Sequence, residues 1–113
     1  MSTIISKKSD IKFTVSLDEH QVPVAIDWKA DDAGMKETKP CNAIMVGLWD
    51  AEEQTSMRID LWTKEMSVEE MKRFFYESFI GLADTYERAT NESTVADEIR
   101  KFGERFAMLA DVK

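Results

Sequence analysis

The chain holds one histidine, His20, and one cysteine, Cys41, and neither has a partner at ligand spacing on its own predicted element. A structural zinc site or a Cys-His nucleophile pair therefore has no sequence signal. His20 reads as a solvated turn residue. Cys41, directly after Pro40, reads as a small apolar side chain at a strand start as readily as a reactive thiol. The glycines Gly34, Gly47, Gly81 and Gly103 lie far apart and form no phosphate-cradling loop. Carboxylates are plentiful, with Asp27, Asp31 and Asp32 in one region and Asp50, Glu52 and Glu53 in another. Neither group has the alternating oxygen donors, bend glycine and closing glutamate of a calcium loop, so both read as solvated turns. A carboxylate pair for hydrolysis would assemble only in the fold, and nothing in the spacing recommends one. No catalytic, metal-binding or cofactor-binding residue is assigned, no cofactor is expected, and the chain reads as a non-enzyme.

The composition sets the class. At 113 residues, 43% hydrophobic and 33% charged, the chain has room for a single domain spanning 1–113. With 15 Lys plus Arg against 22 Asp plus Glu, the net charge of -7 argues against a sequence-independent grip on nucleic acid or anionic lipid. One cysteine cannot form an internal disulfide, and the first ten residues lack the apolar run of a secretory signal. No stretch approaches the roughly 20 apolar residues that would span a bilayer. These readings point to a cytoplasmic protein without direct membrane insertion.

Periodicity supplies the elements. Residues 1–9 are polar and read as frayed. Ile11, Phe13, Val15 and Leu17 alternate with polar residues, as do Val22, Val24, Ile26 and Trp28, predicting strands over about 10–18 and 22–29. With Asp18 to Gln21 as the loop, Leu17 faces Val22, Val15 faces Val24, Phe13 faces Ile26 and Ile11 faces Trp28, while Lys12 meets Asp27 on the other side. Residues 30–40 read as a connecting loop with room for a short helical turn. A second hairpin follows, with strands over about 42–50 and 55–63. Pairing Asp50 with Thr55 sets Leu48 opposite Met57, Val46 opposite Ile59 and Ile44 opposite Leu61.

After Met66 the period becomes helical. Ser67-Val-Glu-Glu70 is a capping box, and Val68, Met71, Phe75, Phe79, Leu82 and Tyr86 follow the spacing of a buried stripe. Asn91-Glu-Ser-Thr94 interrupts it, after which Val95, Ile99, Phe102, Phe106 and Leu109 form a narrower stripe, predicting helices over about 67–90 and 93–110. The expected fold is α+β and two-layered: a four-stranded antiparallel sheet of two hairpins, with the C-terminal helical hairpin packed on one face.

That arrangement leaves one anomaly. If Ile44, Val46, Leu48, Met57, Ile59 and Leu61 face the helices, Met45, Trp49 and Trp62 point the other way, beside Arg58 and Asp60. The corresponding face of the first hairpin is polar, as expected for an antiparallel sheet with one wet side. Trp, Met and Arg are enriched where proteins meet partners. Met45, Trp49, Arg58, Asp60 and Trp62 are therefore the candidate partner surface, for another protein or for a second copy that completes the sheet. Two alternatives compete. The 30–40 loop or the N-terminal segment could cover the tryptophans, or a small-molecule pocket between sheet and helices could be lined by Phe75, Phe79, Tyr86 and Trp28.

The run Arg58-Ile-Asp-Leu-Trp-Thr-Lys-Glu-Met66, continued through Val68-Glu-Glu-Met-Lys-Arg-Phe-Phe75 and Leu82-Ala-Asp-Thr-Tyr-Glu-Arg-Ala-Thr90, resembles the gliding-motility-associated GldC family of Bacteroidetes. Leu17-Asp-Glu, Val22-Pro23, Ile26-Asp-Trp28 and Leu48-Trp-Asp50 are similar to the same family in the same order, so the resemblance covers about residues 8–110. It implies a small accessory protein of the cytoplasm that accompanies gliding on surfaces and works with the motility machinery. It carries no catalytic or binding motif, and the segment Met35 to Cys41 departs from the family pattern.

Overall fold

A computed structural model describes residues 3–113; part of the predicted frayed tail, residues 1 and 2, lies outside the described residues. The chain divides into two compact units, one ending at Met66 and the other spanning Ser67–Lys113.

The first unit is all strand and turn. β1 (Ile11–Leu17) pairs antiparallel with β2 (Pro23–Ala30), whose other edge takes β3 (Lys39–Cys41), giving a three-stranded sheet in the order β1-β2-β3. β4 (Ala43–Asp50) and β5 (Thr55–Trp62) form a separate two-stranded antiparallel sheet. The α+β class holds, but the single four-stranded sheet is corrected to two sheets of three and two strands. The reason lies in residues 39–41. The end of the segment predicted as loop occupies the free edge of β2 through Ile26–Cys41, Asp27–Pro40 and Trp28–Lys39 pairs, and the strands of the second hairpin pair with each other. Pro40 is tolerated because β3 is an edge strand, where a missing N–H leaves no central ladder broken.

Between β2 and β3 the chain makes one 3-10 turn, Asp31–Ala33, closed by Gly34 at φ 67°, a left-handed conformation that glycine adopts without steric cost. Residues 3–10 carry no regular structure. Two of them are nonetheless tied to that turn: Lys7 Nζ lies 2.7 Å from Asp32, and the Asp10 amide donates to the Asp31 carboxylate at 3.2 Å.

The register of the first hairpin also differs from expectation. Phe13 opposes Trp28, Val15 opposes Ile26 and Ile11 opposes Ala30, a slide of two residues. A slide by an even number keeps every side chain on its predicted face, so the apolar row survives. It does change the polar face, where Lys12 now opposes Lys29, and Thr14 opposes Asp27. The slide originates at the turn. Asp18 accepts from the amides of His20 and Val22 at 2.8 and 3.0 Å, Gln21 adopts a left-handed φ of 64°, and an irregularity at Ser16/Leu17 pairs Leu17 with Pro23. A five-residue loop and a bulge together absorb the residues that a four-residue loop would have put in the ladder.

Burial in this unit is concentrated in a few side chains. Ile26 and Thr63 are 1% exposed, and Ile44 is 9% exposed. Thr63 is satisfied by Asn42, its amide donating to the Asn42 carbonyl at 2.9 Å and its hydroxyl to the Asn42 side-chain oxygen at 3.4 Å. The Lys64 amide donates to Pro23 O at 3.3 Å and its ammonium pairs with Asp18, tying the end of β5 to the first hairpin's turn.

The second unit is a helical hairpin of α1 (Val68–Thr90) and α2 (Ser93–Leu109). The capping box forms as the sequence implies, with the Glu70 amide donating to Ser67 Oγ at 3.0 Å and the Ser67 amide to Glu70 Oε1 at 3.3 Å. Asn91, at φ 60°, ends α1 in the left-handed cap that Asn tolerates. Phe79 packs edge-on against Phe102 and Phe106, with centroids 5.2 and 5.1 Å apart, and Phe75 stacks on Phe106 at 6.3 Å. Small residues let the helices approach closely: Ala83 and Ala96 are fully buried, and a Cβ added at Gly103 would lie 3.1 Å from Ile80 Cδ1. The predicted stripes are only partly buried. Met71, Phe79, Tyr86, Ile99 and Phe106 are half-buried, whereas Val68, Leu82, Phe102 and Leu109 are exposed.

Candidate functional site

The candidate surface is carried by β4 and β5. Its geometry begins at the turn, where Asp50 accepts from the amides of Glu52 and Glu53 at 2.9 and 3.0 Å and Gln54 closes the loop at φ 55°. That turn ends at an Asp50–Thr55 pair, from which Leu48–Met57, Val46–Ile59 and Ile44–Leu61 follow without a slip. The register is the one predicted from the alternation.

Alternation then sorts the side chains. One face carries Met45, Trp49, Arg58, Asp60 and Trp62, with Gly47 opposite Arg58 and Ser56 opposite Trp49. Trp49 is 63% exposed and Trp62 is 55% exposed, while Met45 is half-buried. At the end of the 30–40 segment, one of the proposed covers, Lys39 and Pro40 pair with β2. Between the tryptophans, Arg58 donates to both oxygens of Asp60, Nε at 3.1 Å and Nη2 at 2.9 Å. The two residues sit on one strand face at i and i+2, so a planar guanidinium can meet a carboxylate side-on. The Asp60 carboxylate, by hydrogen bond first and by charge second, holds Arg58 above its ordinary guanidinium range.

The opposite face of the hairpin was predicted to be core, and it is core at one end only. Ile44 is buried and Val46 and Leu61 are half-buried, but Leu48, Met57 and Ile59 are 52%, 58% and 46% exposed. The hairpin thus exposes apolar side chains on both faces near its turn. Alternation alone could not find this, because it assigns a face and says nothing of what covers it.

The other candidate groups have structural partners. His20 is exposed in the first turn, its Nε2 3.5 Å from Glu19. Cys41 is a free, half-buried thiol at the end of β3, pushed up from its ordinary value chiefly by burial and further by Asp27. Asp31 and Asp32 hold the N-terminal segment and Asp50 organises a turn. Among the described residues, no three His, Cys, Asp or Glu side chains lie close enough to hold a metal ion. Of the residues proposed for a small-molecule pocket, Phe75 and Phe79 belong to the aromatic cluster of the helical hairpin, Tyr86 donates to Glu92 at 2.5 Å, and Trp28 is half-buried opposite Phe13. A shallow depression of about 340 Å³ is lined by Thr94, Asp97, Arg100, Lys101 and Glu104, all on α2, and is a solvated helix face.

Sequence reasoning missed the ion cluster at Arg100. Its guanidinium bridges Glu87 at 2.6 Å, Asp97 at 2.7 Å and Asp84 at 2.9 Å, linking the two helices. Arg100 and the Ser93 hydroxyl together hold the Glu87 carboxyl below its ordinary value. The Asp97–Arg100 spacing was visible in the sequence, but the partners across the hairpin appear only once α1 and α2 are aligned.

The fold and the surface define an α+β protein with an apolar, tryptophan-bearing hairpin and, among the described residues, no helix long and apolar enough to cross a membrane. Residues 23–111 match the family of gliding motility-associated proteins described as GldC-like, and the chain belongs to that family. No curated protein and no solved structure matches it.

Proposed function

We propose that the protein is a non-enzymatic accessory of bacterial gliding in the Bacteroidetes, acting in the cytoplasm by protein–protein contact through Met45, Trp49, Arg58, Asp60 and Trp62. Family membership supports the link to motility. The observation that carries the contact surface is the pair of exposed tryptophans on one sheet face, flanking an Arg–Asp pair. Two indole rings can bury several hundred Å² at small entropic cost, and Trp and Arg supply most interface hot spots. The partner is a protein of the motility machinery or a second copy. The acidic balance disfavours nucleic acid, and a single cysteine suits a reducing compartment.

The test replaces both tryptophans, Trp49→Ser with Trp62→Ser. Circular dichroism of the double variant should match the wild type, and a pull-down from a gliding bacterium should lose a protein that the wild-type bait retains. Unfolding of the double variant would make the tryptophans part of the core and remove the surface.

A further inference from the structure

The helical hairpin carries an apolar face that the contact between its own two helices does not use. That contact is made by small side chains, with Ala83 and Ala96 fully buried and Gly103 close against Ile80. About a quarter turn away, a second stripe runs along each helix. From Phe75 to Tyr86 on α1, and from Val95 to Leu109 on α2, apolar and aromatic residues recur at alternating steps of four and three, the a/d spacing by which helices pack into bundles. The two stripes join into one face, because Phe79 meets Phe102 and Phe106, and Phe75 stacks on Phe106, across the hairpin.

Much of this face lies open. Val68, Phe75 and Leu82 recur at every seventh position on α1, as do Val95, Phe102 and Leu109 on α2, so each set stays on one side of its helix. All six are exposed, from 39% at Phe75 to 73% at Leu109. The C-terminal residues lie elsewhere. Lys113 O accepts from Nε and Nη2 of Arg73 at 3.2 and 3.0 Å, and Arg73, two residues before Phe75, sits nearly opposite it on the helix. At about 100 Å² of remaining exposed surface apiece, the six side chains present on the order of 600 Å² per hairpin, the upper end for a contiguous apolar patch on a monomer.

We propose that this face packs on the same face of a second copy of this chain, giving a four-helix bundle with the six exposed side chains of each copy in its core. The spacing selects the occupant. A bundle partner must present the same alternation of four and three on two antiparallel helices of similar length, and α1 and α2, of 23 and 17 residues, present it themselves. A two-fold axis uses one patch twice, so apolar side chains meet apolar side chains on both copies. The area agrees as well. Two such faces together bury about 1,200 Å² before the half-buried aromatics and the margins are counted, which reaches the range of a specific interface. The outer margin of the face carries Ser78 and Thr85 on α1 and the opposite charges Glu98 and Arg105 on α2. Each chain has a net charge of -7, but that excess does not line the seam.

The bundle uses none of Met45, Trp49, Arg58, Asp60 and Trp62, so it stands or falls apart from the contact surface of the β4–β5 hairpin. Sedimentation of the full chain across a concentration series should show a reversible dimer, and the thermal midpoint should rise with concentration. Leu82→Ala combined with Leu109→Ala keeps helix propensity high while removing two core side chains per copy. It should weaken association at least roughly tenfold with helix content unchanged by circular dichroism. Leu82→Glu sets carboxylates in the core and should leave a folded monomer. Met108→Glu, at a position 79% exposed but on the opposite side of α2, should dimerise like the wild type, and so should Trp49→Ser with Trp62→Ser. A wild type that stays monomeric at all concentrations, a double alanine variant that dimerises like the wild type, or a dimer lost on Met108→Glu or with the tryptophans would each overturn the bundle. So would a monomeric chain that Leu82→Glu unfolds, because the face is then covered within one copy. A monomeric wild type whose pull-down partner still depends on Trp49 and Trp62 would remove the bundle and leave the contact surface standing. A leucine-dependent dimer with a partner indifferent to the tryptophans would do the reverse.

Discussion

The two β-hairpins have nearly the same length and the same alternation, yet they end in different states. In the first, β2 is a central strand: β1 covers one edge, β3 the other, and Ile26 is 1% exposed. In the second, neither strand is central, the most buried side chain is Ile44 at 9%, and Trp49, Trp62, Leu48 and Met57 are all more than half exposed. The polar face of the first hairpin, with Lys12, Thr14 and Ser16, needs only water. The second has large exposed apolar side chains on both faces. The first hairpin has both edges of its middle strand covered, although Ile11, Phe13 and Leu17 of its apolar row stay exposed, whereas the second exposes two tryptophans on one face and Leu48, Met57 and Ile59 on the other, which is the usual mark of an interaction site.

The strongest way to break this comparison is to truncate one apolar side chain in each hairpin. Ile26→Ala removes a fully buried side chain and should destabilise the first unit by about 2 to 5 kcal/mol, the range for a buried aliphatic truncated to alanine. Leu48→Ala, at a position already 52% exposed, should cost about 1 kcal/mol or less in the dilute chain. Urea titrations of both variants decide the matter. Comparable losses at the two positions would mean that the second hairpin is buried in solution and that its contact role is lost.

The same contrast explains what the residue pattern could foretell. The register of the second hairpin was legible because its strands abut a four-residue turn and every residue between Asp50 and Thr55 is accounted for. The first was placed two residues off, because the left-handed Gln21 and the irregularity at Ser16/Leu17 are backbone events that no hydrophobic period records. Three residues, Lys39–Cys41, are too few to display a period, and the proline among them argues against a strand until the edge that accepts it is known. The tryptophan face could be read from alternation alone. The exposure of Leu48, Met57 and Ile59 could not, since burial depends on tertiary neighbours.

A second test uses the turns. Both are organised by an aspartate that accepts two backbone amides, but Asp18 also pairs with Lys64. The Lys64 hydrogen bond and the Val22 amide hold Asp18 below its ordinary value of 3.8. A carboxyl depressed in the folded state contributes stability that is complete above its unfolded pKa and is lost as pH falls through the folded value. Asp18→Asn keeps an acceptor for the turn amides but removes the charge. It should flatten the decline of thermal stability below about pH 4 while leaving the value near pH 7 only modestly lower. An acid decline as steep as that of the wild type would show that the Lys64 pair contributes nothing.

The smallest expected effect bears on the register itself. In the observed pairing Lys12 opposes Lys29, a like-charge pair on the wet face of β1–β2, whereas a slide of two residues would set Lys12 against Asp27. Lys12→Glu should therefore stabilise the first hairpin, by about 0.2 to 1 kcal/mol at low ionic strength, because a carboxylate then faces Lys29. The gain should shrink in 1 M salt, where the Debye length is about 3 Å. In the alternative register the same substitution would set two carboxylates opposite each other and destabilise the protein. The sign of one surface substitution, read from a denaturation midpoint, thus distinguishes two pairings that put every apolar side chain on the same face.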